Sequence, residues 1–83
     1  MLWLSAKAGK QEEVVEIGAG ATIGDALGAL SAKLPRLAPL IRDIIEGRSE
    51  LIVLHNGRTP ASGLSTPIKC GDELVLMPPV SGG

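Results

Sequence analysis

Only one stretch of this chain reads as a main helix, and strand-like segments lie on both sides of it. Ile23, Ala26, Leu27, Leu30 and Leu34 recur at helical spacing, so they form one apolar stripe that must lie on a core. Thr22 followed three places later by Asp25 is a capping-box variant that opens the helix, and Pro35 stops it. Pro39 suits the first turn of a second, shorter helix, Gly47 suits the residue just beyond its end, and Leu40, Ile41, Ile44 and Ile45 are expected to face inward.

The flanking segments carry the period of strands. Leu2, Leu4 and Ala6 alternate with Trp3 and Ser5; after a turn at Ala8-Gly9-Lys10, Val15 and Ile17 share one face and Val14 and Glu16 the other, which predicts an N-terminal hairpin. Trp3 fits a core place or the exposed face equally well. Leu51 to His55 is an almost unbroken apolar run ending at Asn56-Gly57 and reads as a central strand. Residues 59–67 hold Pro60, Gly63 and Pro67 and leave room for one short edge strand at most. Cys70-Gly71-Asp72 turns the chain into a last strand, Glu73 to Met77, which Pro78 and Pro79 end. The order is strand, strand, helix, short helix, strand, loop, strand: an α+β chain with a mixed sheet packed on one main helix plus a short helix. That is the ubiquitin-like β-grasp arrangement, in which the last strand lies parallel to the first. The expected division is a domain over residues 1–77 and an extended tail over residues 78–83.

Bulk properties bound the function. Eighty-three residues make one domain that buries only about 60% of its unfolded surface. Eight basic and nine acidic side chains give no field that would gather nucleic acid or an anionic membrane, and a single Trp with no Phe or Tyr offers no stacking platform for single strands. The lone Cys70 makes no internal disulfide, no apolar run approaches about 20 residues, and the N-terminus lacks a signal-peptide pattern; a reducing, cytoplasmic setting is expected.

The tail carries the most specific chemistry. Pro78 and Pro79 stiffen its base in an extended form, while Gly82 and Gly83 leave the tip without side chains. Such a probe enters a channel too narrow for other residues, and its unhindered carboxylate is open to activation. Joining the carboxylate to AMP creates a good leaving group, which sulfur then displaces.

The stretch Gly71-Asp72-Glu73-Leu74-Val75-Leu76-Met77-Pro78-Pro79-Val80-Ser81-Gly82-Gly83, with Asn56-Gly57 earlier in the chain, closely resembles the MoaD family, the small subunit of molybdopterin synthase. That resemblance implies adenylation of Gly83 by a MoeB-like adenylyltransferase that consumes ATP, a sulfur donor that makes the thiocarboxylate, and a MoaE-like large subunit in a heterotetramer that uses it on the pterin precursor. It makes Gly83 the reactive carrier and Met77, Pro78, Pro79, Val80, Ser81 and Gly82 the partner-binding residues, with no bound cofactor, no metal and no activity of the chain alone. The family often carries Phe on the first strand and before the Pro-Pro pair; here Leu or Ser and Met77 stand there, and Met is an adaptable apolar substitute.

Two other readings share the tail or the fold. A carrier for tRNA thiolation, or a modifier forming isopeptide bonds as archaeal small modifier proteins do, would use the same activation; a ubiquitin-like interaction domain without chemistry would not need Gly83. A ThiS-like carrier for thiazole synthesis fits less well, because that family usually lacks the Pro-Pro pair. Gly18-Ala19-Gly20 is expected to make a strand-to-helix turn rather than a nucleotide loop, since such a loop would need a longer parallel crossover with an acidic residue downstream of it. His55 lacks partners at metal-ligand spacing, and Cys70 is expected to be an inert turn residue.

Overall fold

The structure is a computed structural model and describes residues 2–78. Four strands form one mixed sheet: β1 (Leu2–Ala8), β2 (Gln11–Ile17), β3 (Ile52–His55) and β4 (Glu73–Met77), in the order β2-β1-β4-β3. β1 pairs antiparallel with β2 and parallel with β4, and β3 pairs antiparallel with β4. The expected parallel pairing of first and last strands is therefore present. Ala8 pairs with Gln11, so the first turn is the pair Gly9-Lys10 rather than three residues, with Gly9 at φ +61°.

One face of the sheet carries α1 (Ile23–Lys33), whose capping box is formed as expected: Asp25 N–H donates to Thr22 Oγ1 and Thr22 N–H donates to the Asp25 carboxylate. Ile23, Ala26, Leu27 and Leu30 are buried against Leu4, Ala6, Val15, Ile17, Leu74 and Leu76, and Leu34 packs at the margin. Each fully buried Leu or Ile stabilises the fold by about 1.5–3 kcal/mol. Pro35 begins a 3-10 turn (Pro35–Leu37) that leads into α2 (Ala38–Ile45).

Two expectations for α2 are corrected. Leu37, Ile41 and Ile44 recur at helical spacing and meet the core, but Leu40 is only half-buried and Ile45 is 48% exposed. The helix has only eight residues, so one narrow stripe reaches α1 and its neighbours flank that contact. Ile45 borders an open groove of about 220 Å³ with Ser31, Ala38 and Arg42.

β3 is an edge strand, not a central one. Val53 packs on the core, while Ile52 and Leu54 point to the opposite face, beside Met77 and Val75 of β4. The unbroken apolar run thus reflects two different apolar surroundings rather than strands on both sides. The loop expected over residues 59–67 contains a 3-10 turn (Gly63–Ser65) and one isolated bridge, Thr22 with Pro67; its flanks bind the start of α1 through Ile23 N–H to Thr66 O and Ile68 N–H to Ala21 O. Ile68 is buried and completes the core below that corner.

β4 is held at its N-terminal end by a polar cluster. The Asp72 carboxylate accepts from the His55 ring at 2.7 Å, from Lys69 N–H at 2.8 Å and from Asn56 Nδ2 at 3.1 Å, while Asn56 Oδ1 accepts from Glu73 N–H at 2.8 Å. Asn56 sits at φ +54°, in the left-handed region that Asn tolerates, and Gly57 follows at φ +79°. Partial burial pushes the Asp72 carboxyl pKa up, but the hydrogen bonds from His55, Lys69 and Asn56, with the charge of His55, outweigh it and hold the group below its ordinary value of 3.8.

A lowered carboxyl pKa stabilises the fold above the unfolded pKa, and that stabilisation is lost as pH falls through the folded value. Asp72→Ala should therefore melt roughly 10 °C below the parent at neutral pH, from the loss of about 2 kcal/mol of hydrogen bonding to a charged acceptor. Thermal unfolding at a series of pH values should show that gap held down to about pH 4 and narrowing below it.

Candidate functional site

The register of β4 decides what the free face of the sheet presents. Leu74 and Leu76 point to α1, so Glu73, Val75 and Met77 point away from it. Val75 lies between Lys7 of β1 and Leu54 of β3, and Met77 lies opposite Ile52. Ile52, Leu54, Val75 and Met77 form an apolar corner, each side chain half-buried. Met77, an expected partner-binding residue, is thus placed on the free face at the base of the tail, and Pro78 after it is exposed. Pro79, Val80, Ser81, Gly82 and the expected reactive Gly83 lie outside the described residues.

The tail base is anchored on both sides. β4 hydrogen-bonds to β1 and to β3, and its far end is fixed by the Asp72 cluster. Residue 78 therefore leaves a central strand at a defined position.

The other half of the face differs in character. Lys7 Nζ reaches Glu73 Oε2 at 3.1 Å, and with Ser5 this pair separates the Met77 corner from Trp3 and Val14. Trp3 is 48% exposed and Val14 is 50% exposed. The open question about Trp3 is resolved in favour of the free face. Glu16 lies opposite Trp3 and Glu12 opposite Lys7.

The remaining candidates do not gather at this surface. His55 binds Asp72 and so has a structural partner, and among the described residues no group of three His, Cys, Asp or Glu side chains is placed to hold a metal. No Ser, Thr or Cys among the described residues hydrogen-bonds the His55 ring. Cys70 is exposed in its turn. Gly20, at φ +81°, turns the chain from β2 into α1. An open concavity of about 480 Å³, lined by residues including His55, Arg58, Thr59 and Thr66, sits at the opposite end of β3 from Met77. No helix among the described residues is long and apolar enough to cross a membrane.

Two features of the site escape simple periodicity. Ile52 and Leu54 belong to the Met77 corner, which their odd-even partition from Val53 could have signalled. The His55–Asp72 contact joins residues far apart in sequence, and no spacing rule announces it.

A four-stranded mixed sheet crossed by one main helix, with β1 and β4 parallel at its centre, defines a ubiquitin-like β-grasp domain. The model of the ThiS family matches residues 3–83, and the chain belongs to that family. Its relatives include small archaeal modifier protein 1 of Haloferax volcanii, 42% identical over 81 residues that cover 96% of this chain and 91% of the relative. The crystal structure of H. volcanii small archaeal modifier protein 1 matches with a TM-score of 0.77 at 31% identity, covering 96% of this chain and 100% of that one. A putative molybdopterin converting factor, subunit 1, from Pyrococcus furiosus matches with a TM-score of 0.73 at 19% identity, covering 96% and 100%, and shares the fold. The family read from residues 71–83 and the β-grasp fold are borne out over nearly the whole chain; the family does not by itself choose a sulfur or acyl acceptor.

The Lys7–Glu73 pair has a direct test. The hydrogen bond from Lys7 to Glu73, aided by the charges of Glu73 and Glu12, raises the Lys7 pKa above 10.5. In Glu73→Gln the Lys7 titration followed by NMR should move back toward 10.5, with the melting temperature changed by no more than a few degrees, because the pair is exposed.

Proposed function

We propose that this chain is a ubiquitin-like carrier whose Gly83 carboxylate is activated by a partner enzyme and then passed on as a thiocarboxylate or joined to a lysine of another protein. The observation that supports it most is the join between fold and tail: a central strand, anchored on both sides, that runs into Pro78-Pro79-Val80-Ser81-Gly82-Gly83 without a flexible spacer. Taking Gly83 as the terminal residue, its carboxylate attacks the α-phosphate of ATP on the activating enzyme and pyrophosphate leaves. Sulfide then attacks the acyl carbon and AMP leaves, giving the thiocarboxylate; attack by a lysine amine instead gives an isopeptide bond. The chain's own reactive group in these steps is the Gly83 carboxylate; the acids and bases are assigned to the partner. Its own part is to hold the tip in register and to offer the Met77 corner for docking. ATP is consumed by the partner, which is of the MoeB-like class, and a cytoplasmic setting fits this reading.

The choice of acceptor shifts from the sequence reading. The relative with 42% identity is a small archaeal modifier protein, which favours the modifier and general sulfur-carrier role over a role confined to the pterin. The second reading, small subunit of a molybdopterin synthase with a MoaE-like large subunit, draws on the Pro-Pro-Val-Ser-Gly-Gly ending.

Incubation with the cognate activating enzyme, ATP and sulfide should replace one oxygen of the intact protein by one sulfur. Deleting Gly83, or adding one residue beyond it, should abolish the change. A mass that stays constant for the parent chain would overturn the carrier reading and leave a binding module. Supplying the pterin precursor with a large subunit, or lysine-bearing proteins, then separates the two acceptors.

Met77→Asp should lower kcat/KM for activation at least about tenfold, which corresponds to about 1.4 kcal/mol of lost transition-state binding. Its melting temperature should stay within a few degrees of the parent, because Met77 lies on the free face.

A further inference from the structure

We propose that the concavity beside the Asn56-Gly57 turn is a binding site for a small phosphate monoester with an apolar body, and that Arg58, Thr59 and Thr66 hold its phosphate. The inference goes beyond the carrier reading and does not depend on Gly83.

Hydrogen bonds set the walls of this concavity. His55 N–H donates to Arg58 O at 2.8 Å and Arg58 N–H donates to His55 O at 3.1 Å, so the two-residue turn Asn56-Gly57 folds Arg58 back beside the end of β3. On the other side, Thr66 N–H donates to Gly63 O at 3.2 Å, and Thr66 Oγ1 accepts from Ser62 N–H at 2.9 Å. Pro60 and Ala61 line the space between them. Its volume of about 480 Å³ falls within the range of small-molecule sites, roughly 300–1,000 Å³.

The lining is rich in donors. Arg58 is exposed and makes no ion pair among the described residues. Thr66 is buried although it is polar, and its oxygen is used by Ser62 N–H, which leaves the hydroxyl hydrogen to donate. Thr59 brings a second hydroxyl, and the Asn56 amide keeps one hydrogen beyond the one given to Asp72. No Asp or Glu lines the space. The Asp72 carboxylate is occupied by the His55 ring, the Asn56 amide and Lys69 N–H.

These donors favour an anion, and their number favours phosphate. A guanidinium fork uses both oxygens of a carboxylate, whereas a phosphate monoester keeps a third oxygen for the threonine hydroxyls. A bare ion would leave most of the volume empty, and Pro60 and Ala61 offer apolar surface to the rest of a ligand. One unpaired cation serves one phosphate group. A nucleic-acid strand calls for a row of them, and this chain has a net charge of −1. Because the site lies at the opposite end of β3 from Met77, a ligand there leaves the base of the tail uncovered.

The experiment titrates the full chain with phenyl phosphate at constant ionic strength and follows backbone amides by NMR. Saturable shifts are expected at Arg58, Thr59, Ala61 and Thr66, with a Kd of about 1 mM or tighter. Phenol, benzoate and inorganic phosphate should each bind more weakly than the ester. Arg58→Gln should weaken phenyl phosphate at least about tenfold and Thr59→Val about threefold, while Arg42→Gln, far along the chain, should bind like the parent. Both site residues are exposed, so these variants should melt within a few degrees of the parent. Shifts that do not saturate, that sodium chloride reproduces, or that persist unchanged in Arg58→Gln would overturn the inference. Benzoate binding as tightly as phenyl phosphate would make this a carboxylate site, and a short single-stranded oligonucleotide binding more tightly would make it a nucleic-acid contact; either result overturns the inference. None of these outcomes bears on activation of Gly83, which the mass measurement decides separately.

Discussion

Burial of one helical stripe against one sheet face is the interaction on which this domain depends. Ile23, Leu27 and Leu30 of α1 share one buried cluster with Leu4, Val15, Leu74 and Leu76. A domain of this size has little core to spare, so α2 and the segment around Ile68 serve mainly to close the margins of that contact. Because one sheet face is spent on α1, the other is left open, and every outward residue of β1, β2, β3 and β4 becomes surface that can be given to recognition. The division of labour between stability and recognition therefore follows the strand pleat itself.

That pleat also explains why the recognition surface is uneven. On β3 and β4 the outward positions are Ile52, Leu54, Val75 and Met77, with Glu73 at the start of β4; on β1 and β2 they mix Trp3 and Val14 with Ser5, Lys7, Glu12 and Glu16. The apolar corner adjoins the tail base, with Lys7 and Glu12 in the row beside it, and Trp3 and Glu16 lie toward the other end of β1. A partner reading this face meets two chemistries in a fixed geometric relation, set by hydrogen-bonded register rather than by flexible loops.

Much of this was legible in advance, for physical reasons that differ from residue to residue. The Thr22–Asp25 cap, the stripe of α1 and the period of β1, β2 and β4 are local signals, and each element formed where its local chemistry placed it. The position of β3 was misread because burial on two sides looks the same in sequence whether it comes from flanking strands or from apolar surfaces above and below. Leu40 and Ile45 were misread because a helix of eight residues has too little length for every apolar position to find a core. The Asp72 cluster was invisible, since its members meet only after β3 and β4 have paired. Met77 lies on the face away from α1, as the alternation of β4 implies, and Trp3 needed the register against Glu16 before its side could be assigned.

The central place of β4 has a consequence for how the molecule comes into being. It is made after the other three strands of the described sheet, yet it lies between β1 and β3, and its pairing with β1 joins residues as far apart as Ser5 and Glu73. Contacts of such long range close late and slow the folding of small domains. During synthesis the sheet cannot be completed until the strand that carries the tail has emerged. A chain cut short before that point lacks its middle strand and stays unfolded, open to proteolysis, so that the free face of the sheet exists only on molecules whose β4 has been made.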